Sequence, residues 1–228
     1  MEVVYEDNHV IVVNKRVGEI VQGDKTGDTP LSEMVKRYIK EHYAKPGEVF
    51  LGVVHRLDRP VSGLVLFART SKALARLNRM FAEHEQVKKT YWAIVGNEPP
   101  AAEATLTHWM TRDERNNTAR AYDHEVPRSK QAVLDYRVVA HSNRYWLVEV
   151  NLRTGRHHQI RCQLAKIGCP IRGDLKYGAP RSLPGGGISL HARRLQLEHP
   201  VSHAKLDITT PLPEDSLWKT MEQLAYES

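Results

Sequence analysis

The chain has 228 residues, enough to bury a sizeable core as one large domain or two small ones. Hydrophobic residues make up 41% and charged residues 26%, which is typical of soluble globular proteins and excludes a disordered or fibrous class. The formal net charge of +6 favours nucleic acid over a basic protein as partner. The N-terminus lacks signal-peptide character, and no apolar stretch approaches the roughly 18 residues of a membrane span.

The first half of the chain predicts alternating strands and helices. The two β-branched runs at the N-terminus, separated by Asp7 and Asn8, predict a strand, a tight turn and a second strand. The further predicted elements are a helix over 31–43, a buried strand over Leu64–Ala68, a helix over 70–85 capped by Ser71, and a strand over 88–96.

The second half predicts more β structure. Residues 101–150 alternate apolar and polar side chains between turn-rich segments, as antiparallel strands do. The remaining predicted elements are a helix over 157–168 that stops at Gly168, a flexible loop over 180–189, a strand over 190–199 and a helix over 211–227. We therefore predict an α+β fold, with a large mixed but mainly antiparallel sheet and flanking helices, as one domain over residues 1–228.

The stretch HRLDRP, residues 55–60, places Asp58 between two arginines just before the predicted buried strand. For an isolated aspartate, a structural ion pair would be the favoured interpretation, and a reactive carboxylate is the alternative. A protein-kinase catalytic loop is excluded, because a leucine interrupts the His-Arg-Asp order and no glycine-rich loop precedes it.

A second cluster, RTGRHHQIR at 153–161, places basic side chains at the predicted start of a helix, which favours an anion site. On a helix, His157 and His158 would point about 100° apart, which argues against zinc. The tripeptide Arg172-Gly173-Asp174 resembles a cell-adhesion motif, but three residues in such a chain are a coincidence. Cys162 and Cys169 fit no zinc or redox spacing, so we expect reduced thiols in a cytoplasmic protein.

Four segments in order, GVVHRLDRPVSGLVLFART, KKTYWAIV, TGRHHQIRCQLAKIGCPIRGDLKYG and LHARRLQL, resemble the RluA-type RNA pseudouridine synthases. The resemblance runs from about Val3 to Leu212. It implies an isomerase that converts uridine in rRNA or tRNA to pseudouridine and needs no cofactor or metal. The partner is then an RNA stem-loop, and we expect a monomer without a separate N-terminal S4 module.

The resemblance also implies a role for each matching residue. Asp58 matches the family's catalytic aspartate, and Tyr91 the tyrosine that stacks on the target uracil. Arg161 matches the arginine that pairs with the aspartate, Leu190 an apolar wall of the pocket, and Arg56 an arginine that in some relatives fills the gap left by the flipped base. The aspartate could attack C1′, attack C6 or assist elimination to a glycal, and the sequence leaves these routes open.

The chain departs from the family pattern at two places. Val61 stands where threonine is usual, and Lys15-Arg16 where Lys-Pro is common. Neither replaces Asp58. The other motif residues keep alternative interpretations: His55 and His191 are expected to pack and hydrogen-bond, and Lys88 and Arg194 are phosphate contacts or solvated charges. An RNA-binding protein without catalysis and an RNA hydrolase are the rival functions.

Overall fold

The computed structural model describes residues 1–83 and 86–227. Within them the strands are β1 (Glu2–Glu6), β2 (Val10–Lys15), β3 (Gly52–Val53), β4 (Ser62–Ala68), β5 (Val87–Val95), β6 (Glu103–Asp113), β7 (Thr118–Tyr122), β8 (Lys130–His141), β9 (Trp146–Leu152), β10 (Leu190–Glu198) and β11 (Lys205–Thr209). The α-helices are α1 (Leu31–His42), α2 (Ser71–Glu83), α3 (Gln159–Lys166) and α4 (Ser216–Glu227), with 3-10 turns at Leu175–Tyr177 and Pro184–Gly186.

The chain divides into two compact units. Unit 1 comprises residues 1–87 and 194–210, and unit 2 comprises residues 88–193 and 211–228. Strand β10 therefore begins in unit 2 and ends in unit 1. The assignment of one catalytic domain to residues 1–228 stays a prediction.

Unit 1 has the strand order β1-β2-β4-β10, with β3 paired to β4 and β11 paired to β10. The predicted N-terminal hairpin is confirmed, since β1 and β2 pair antiparallel. Every residue of β4 is buried, as its continuous apolar run predicted. Leu77, Met80 and Phe81 of α2 belong to one apolar cluster with Leu64 and Leu66 of β4, so this helix covers one face of the strand.

The start of α2 differs from the prediction. Ser71 is the first residue of the helix, and the Thr70 hydroxyl accepts a hydrogen bond from the backbone N–H of Ala73 at 3.1 Å. Thr70 is therefore the cap, because the cap is the residue immediately before the first helical one. The last two predicted helical residues, His84 and Glu85, lie outside the described residues.

Unit 2 contains the strand order β5-β9-β8-β6-β7, in which every pair is antiparallel. Helix α4 packs Trp218 and Met221 against Trp92, Ile94 and Leu147. Helix α3 contributes Cys162 to a second cluster with β6, β7 and β8. The predicted α+β fold with mainly antiparallel strands and flanking helices is confirmed.

Several features of the structure differ from the prediction. The strand β3 has only two residues, the strand β11 was overlooked although its KLDIT run alternates polar and apolar residues, and the glycine-rich loop contains the Pro184–Gly186 turn. The closing helix begins at Ser216, because Asp215 accepts a hydrogen bond from the N–H of Leu217 at 2.9 Å and caps it. None of the helices in residues 1–83 and 86–227 is long and apolar enough to span a membrane.

Candidate active site

Asp58 lies in unit 1, in the loop between β3 and the buried strand β4. Its carbonyl accepts a hydrogen bond from the N–H of Val61 at 3.0 Å, which closes a tight turn. The side chain is partly buried, whereas Arg56, two residues earlier, is exposed. The turn joins Asp58 to β4, a strand in which every residue is buried.

Lys15, the last residue of β2, supports this turn from the interior. Its side chain is fully buried, and its Nζ donates hydrogen bonds to the carbonyls of Asp58 and Arg59, both at 3.2 Å, and of Val61 at 2.5 Å. Burial lowers the pKa of Lys15 to about 8, because the charged form loses hydration. Lys15 belongs to the Lys15-Arg16 pair, which stands where the family commonly has Lys-Pro. Lys15 is thus the residue of this pair that holds the Asp58 backbone, and Arg16 is exposed.

His55 has a supporting role in the same loop. Its Nε2 accepts a hydrogen bond from the N–H of Leu66 at 3.0 Å, and its ring stacks on Phe81 with centroids 4.9 Å apart. A nitrogen that accepts carries no proton, so Nε2 of His55 is unprotonated in this arrangement. These contacts match the packing and hydrogen-bonding role expected from the sequence.

Tyr91 lies in unit 2, in the middle of β5, and is 8% exposed. It pairs with Val150 of β9, which pairs with Tyr136 of β8. Directly paired residues of antiparallel strands point to the same face, so these three side chains share one face of the sheet. Its neighbour Trp92 therefore belongs to the opposite face, which α4 covers.

Helix α3 packs on the face to which Tyr91 belongs. The amide of Gln163 lies 2.9 Å from Nδ1 of His108, and His108 pairs with Ala132 of β8. Since Ala132 and Tyr136 are four residues apart on one strand, they point to the same face. Arg161, two residues before Gln163, is thereby carried by a helix on the Tyr91 face.

Arg161 is 5% exposed and forms a two-point ion pair with Asp174. Its Nε donates to Oδ2 of Asp174 at 2.7 Å, and its Nη2 donates to Oδ1 at 2.9 Å. Asp174 was not predicted as a site residue, because in the sequence it stood out only as part of a coincidental tripeptide. A signal was available, because a buried arginine needs a carboxylate and Asp174 is the first acidic residue after Arg161. Pairing of Arg161 with Asp58 stays a prediction.

The two histidines before α3 differ from the prediction. His158 has a φ of 51°, so neither histidine lies on the helix, and their rings stack at 3.8 Å between centroids. The expected 100° divergence is therefore wrong. The hydroxyl of Tyr177 accepts from the N–H of Ala119 at 2.8 Å and lies within hydrogen-bond distance, 2.7 Å, of Nδ1 of His158. Burial, followed by the Arg161 charge, lowers the pKa of His158 to about 2, so this ring is neutral.

Leu190 begins β10 and is 3% exposed. The guanidinium of Arg193 lies over the Trp92 ring at 5.3 Å, which places Arg193 on the face opposite to Tyr91. Because side chains alternate along a strand, Leu190 points the other way, to the Tyr91 face. Unit 2 thus brings Tyr91, Arg161 and Leu190 to one face of its sheet, whereas Asp58 and Arg56 belong to unit 1.

Comparisons with known proteins agree on one family. The sequence profile described as "RNA pseudouridylate synthase" matches residues 9–166. An uncharacterised RNA pseudouridine synthase of Chlorobaculum parvum is 34% identical, over 93% of this chain and 71% of its own. The ribosomal large subunit pseudouridine synthase D of Vibrio cholerae is 33% identical, over 97% of this chain and 70% of its own.

The fold has a close counterpart among solved structures. Human RNA pseudouridylate synthase domain containing 4 superposes with a TM-score of 0.77 and 24% identity, over 93% of this chain and 89% of that chain. A second human protein, RNA pseudouridylate synthase domain containing 1, gives a TM-score of 0.71 over 98% of this chain. At such identities the likeness establishes the fold.

Proposed function

Because the chain belongs to the RNA pseudouridylate synthase family, with RluA-type relatives over most of its length, we propose that it isomerises a uridine of large-subunit ribosomal RNA with Asp58 as the reactive carboxylate. Membership makes the protein a pseudouridine synthase, which is an isomerase. The target is supported by relatives from Vibrio cholerae and Zymomonas mobilis that are named ribosomal large subunit pseudouridine synthase D. A tRNA stem-loop is the alternative target.

The reaction breaks the N1–C1′ bond of uridine and forms a C5–C1′ bond after the uracil has turned. C5 loses its proton to solvent and N1 gains one, so the overall composition does not change. The chemistry needs a group that stabilises or captures the sugar or the ring while they are apart. An ionised carboxylate can do this by attack at C1′, by attack at C6 or by assisting elimination.

The observation that carries the proposal is the support given to Asp58. The family motif occurs in a turn whose carbonyl groups are held by the buried ammonium of Lys15, next to a buried strand. Such support would hold the carboxylate in one position. A fixed position favours catalysis, whereas a surface ion pair does not need it. The family match assigns Arg161 to this aspartate, and an arginine there would keep the carboxylate ionised.

The target base must leave its stack, at a cost of a few kcal/mol. In the proposal Tyr91 offers the replacement stacking surface and Leu190 an apolar wall. Arg56, which is exposed, occupies the space that the base leaves in the RNA. Each of these roles comes from the family match at that position.

The proposal is tested by mapping pseudouridine in total RNA from cells with and without the gene. We expect one or a few positions of large-subunit rRNA to lose the modification in the deleted strain. The purified protein should restore it in vitro and release tritium from C5-labelled uridine. Loss of the modification only in tRNA would make tRNA the substrate instead of ribosomal RNA. Unchanged modification in all RNA, together with no tritium release, would refute the enzymatic function and favour an RNA-binding protein.

The role of Tyr91 predicts different effects for its ring and its hydroxyl. Tyr91→Phe keeps the stacking surface, so RNA affinity should stay near that of the wild type while the single-turnover rate falls. Tyr91→Ala should lose turnover and one base-stacking contact, about 1–3 kcal/mol of binding. Tyr136→Phe is the control, because Tyr136 is a buried tyrosine on the same face. An alanine variant that binds and reacts like the wild type would remove Tyr91 from the site.

A further inference from the structure

Arg59 follows Asp58 directly, and its backbone is fixed. Its carbonyl accepts hydrogen bonds from the N–H of Gly18 at 2.9 Å and from the ammonium of Lys15 at 3.2 Å. Its side chain is nevertheless 39% exposed. A guanidinium attached to a fixed backbone next to the proposed reactive group is therefore accessible from solvent.

The guanidinium is held by one short segment, the loop formed by residues 22–29. Nη1 of Arg59 lies 2.7 Å from Oδ2 of Asp28, and Nη2 lies 3.4 Å from Oδ2 of Asp24. Nη2 also donates to the hydroxyl of Thr26 at 2.8 Å, and that hydroxyl donates to Asp24. The fork of the guanidinium thus faces carboxylate oxygens, the arrangement that it also adopts with a phosphate.

The 22–29 loop can release the guanidinium of Arg59 without losing the contacts that hold the loop itself. Every residue from 22 to 29 is exposed, and the side chains of Asp24 and Asp28 are 43% and 58% exposed. The loop is closed at its base by backbone hydrogen bonds from Leu31 to Ile20 and from Ser32 to Val21, which do not depend on Arg59. Exposed ion pairs of this kind contribute little to stability, so they can be exchanged at small cost.

We propose that Arg59 is an RNA-phosphate contact held in reserve by Asp24 and Asp28, and that a phosphate of the substrate takes the place of these carboxylates when RNA binds. The inference rests on the proposed function, since it concerns an RNA substrate. Arg59, in the HRLDR segment, would then contribute to RNA binding. The carboxylates of the 22–29 loop would compete with an RNA phosphate for its guanidinium. The exchange would place a phosphate one residue away from the reactive carboxylate.

The test compares RNA affinity in a two-by-two set: the wild type, Arg59→Ala, Asp24→Asn/Asp28→Asn and the triple variant. The probe is a fluorescein-labelled RNA hairpin with uridines in its loop, titrated by anisotropy at several salt concentrations. Removing the two carboxylates should tighten binding by about threefold to tenfold in the presence of Arg59. Arg59→Ala should weaken binding and reduce the salt slope by about 0.7 to 1.

The deciding comparison is in the Arg59→Ala background, where the two asparagines should give no gain. Glu41→Gln/Glu48→Gln is the charge-matched control, because both glutamates are exposed and the net charge changes equally. An equal gain from the control or in the triple variant would mean a general charge effect and overturn the proposal. Unchanged or weaker binding of the asparagine variant, with a lower melting temperature, would make the loop a structural brace and also overturn it.

The outcomes for this inference and for the enzymatic function are distinct. A wild type that binds the hairpin but releases no tritium would refute the isomerase proposal, while the affinity pattern would still decide the role of Arg59. A wild type that does not bind RNA would refute both.

Discussion

Asp58→Asn should abolish pseudouridine formation while leaving the fold and most RNA affinity intact. Asparagine has the size of aspartate but no charge, and its amide can neither capture C1′ or C6 nor assist elimination as a carboxylate does. The turn should survive, because the backbone carbonyl of residue 58, to which Lys15 and Val61 donate hydrogen bonds, is retained in the variant. We expect single-turnover tritium release to fall by at least about a thousandfold, which corresponds to roughly 4 kcal/mol of lost transition-state stabilisation.

The control is Asp113→Asn, which removes an exposed carboxylate from the last residue of β6. It should leave the rate and the affinity unchanged. The measurement is tritium release from C5-labelled RNA with enzyme in excess, together with hairpin affinity and the melting temperature of each variant. Near wild-type turnover in Asp58→Asn would show that the carboxylate is a structural ion-pair partner only.

Asp174→Asn should cause the largest loss of stability among conservative single substitutions at the candidate site. The side chains of Arg161 and Asp174 are 6% and 1% exposed, so both charges have been removed from water. Removing one member of a buried pair costs about 3–5 kcal/mol, because the remaining charge loses the partner that offset its dehydration. For a chain of this size that loss lowers the melting temperature by about 6–20 °C.

Asp207→Asn is the matched control, because Asp207 also binds an arginine at two points but in the open. Arg194 donates from Nε at 2.7 Å and from Nη2 at 2.5 Å, and both side chains are 46% exposed. Loss of this pair should cost at most about 1 kcal/mol. The free energy of unfolding is measured by urea denaturation. Equal losses in the two variants would contradict the argument from burial.

A double substitution separates charge from packing at the same position. Asp174→Leu alone should be severely destabilising, whereas Arg161→Leu/Asp174→Leu should recover part of the loss, since replacing both members of a buried ion pair by apolar residues is often neutral. The recovered protein is expected to be inactive if Arg161 serves the aspartate. A folded and fully active double variant would refute that role.

The sequence alone determined the elements whose signal is local. The hairpin of β1 and β2, the strands of residues 101–150 and the helices α1, α2 and α4 each repeat their apolar residues with the period of their own backbone. A neighbouring segment need not be known for such a pattern to be recognised. The order of the motifs also identified the family, and the family match indicated Asp58 and Tyr91 as candidate site residues.

Only the tertiary structure decided which distant groups meet. In the sequence, Lys15 was only the first residue of a Lys-Arg pair where the family commonly has Lys-Pro. Its contacts with carbonyl groups 43 to 46 residues away were not visible there. Asp174 became the partner of Arg161 through a turn after α3, and His158 left the predicted helix by adopting a left-handed backbone. The strand β3 follows the same rule, because a segment of two residues carries no alternation and becomes a strand only when a neighbouring strand supplies the hydrogen bonds. The KLDIT run of β11 does alternate polar and apolar residues, so the sequence alone could have indicated this strand. The period of apolar residues indicates the backbone conformation of one segment. Buried charges and buried backbone polar groups need partners, and these partners come from whichever segments the fold brings close.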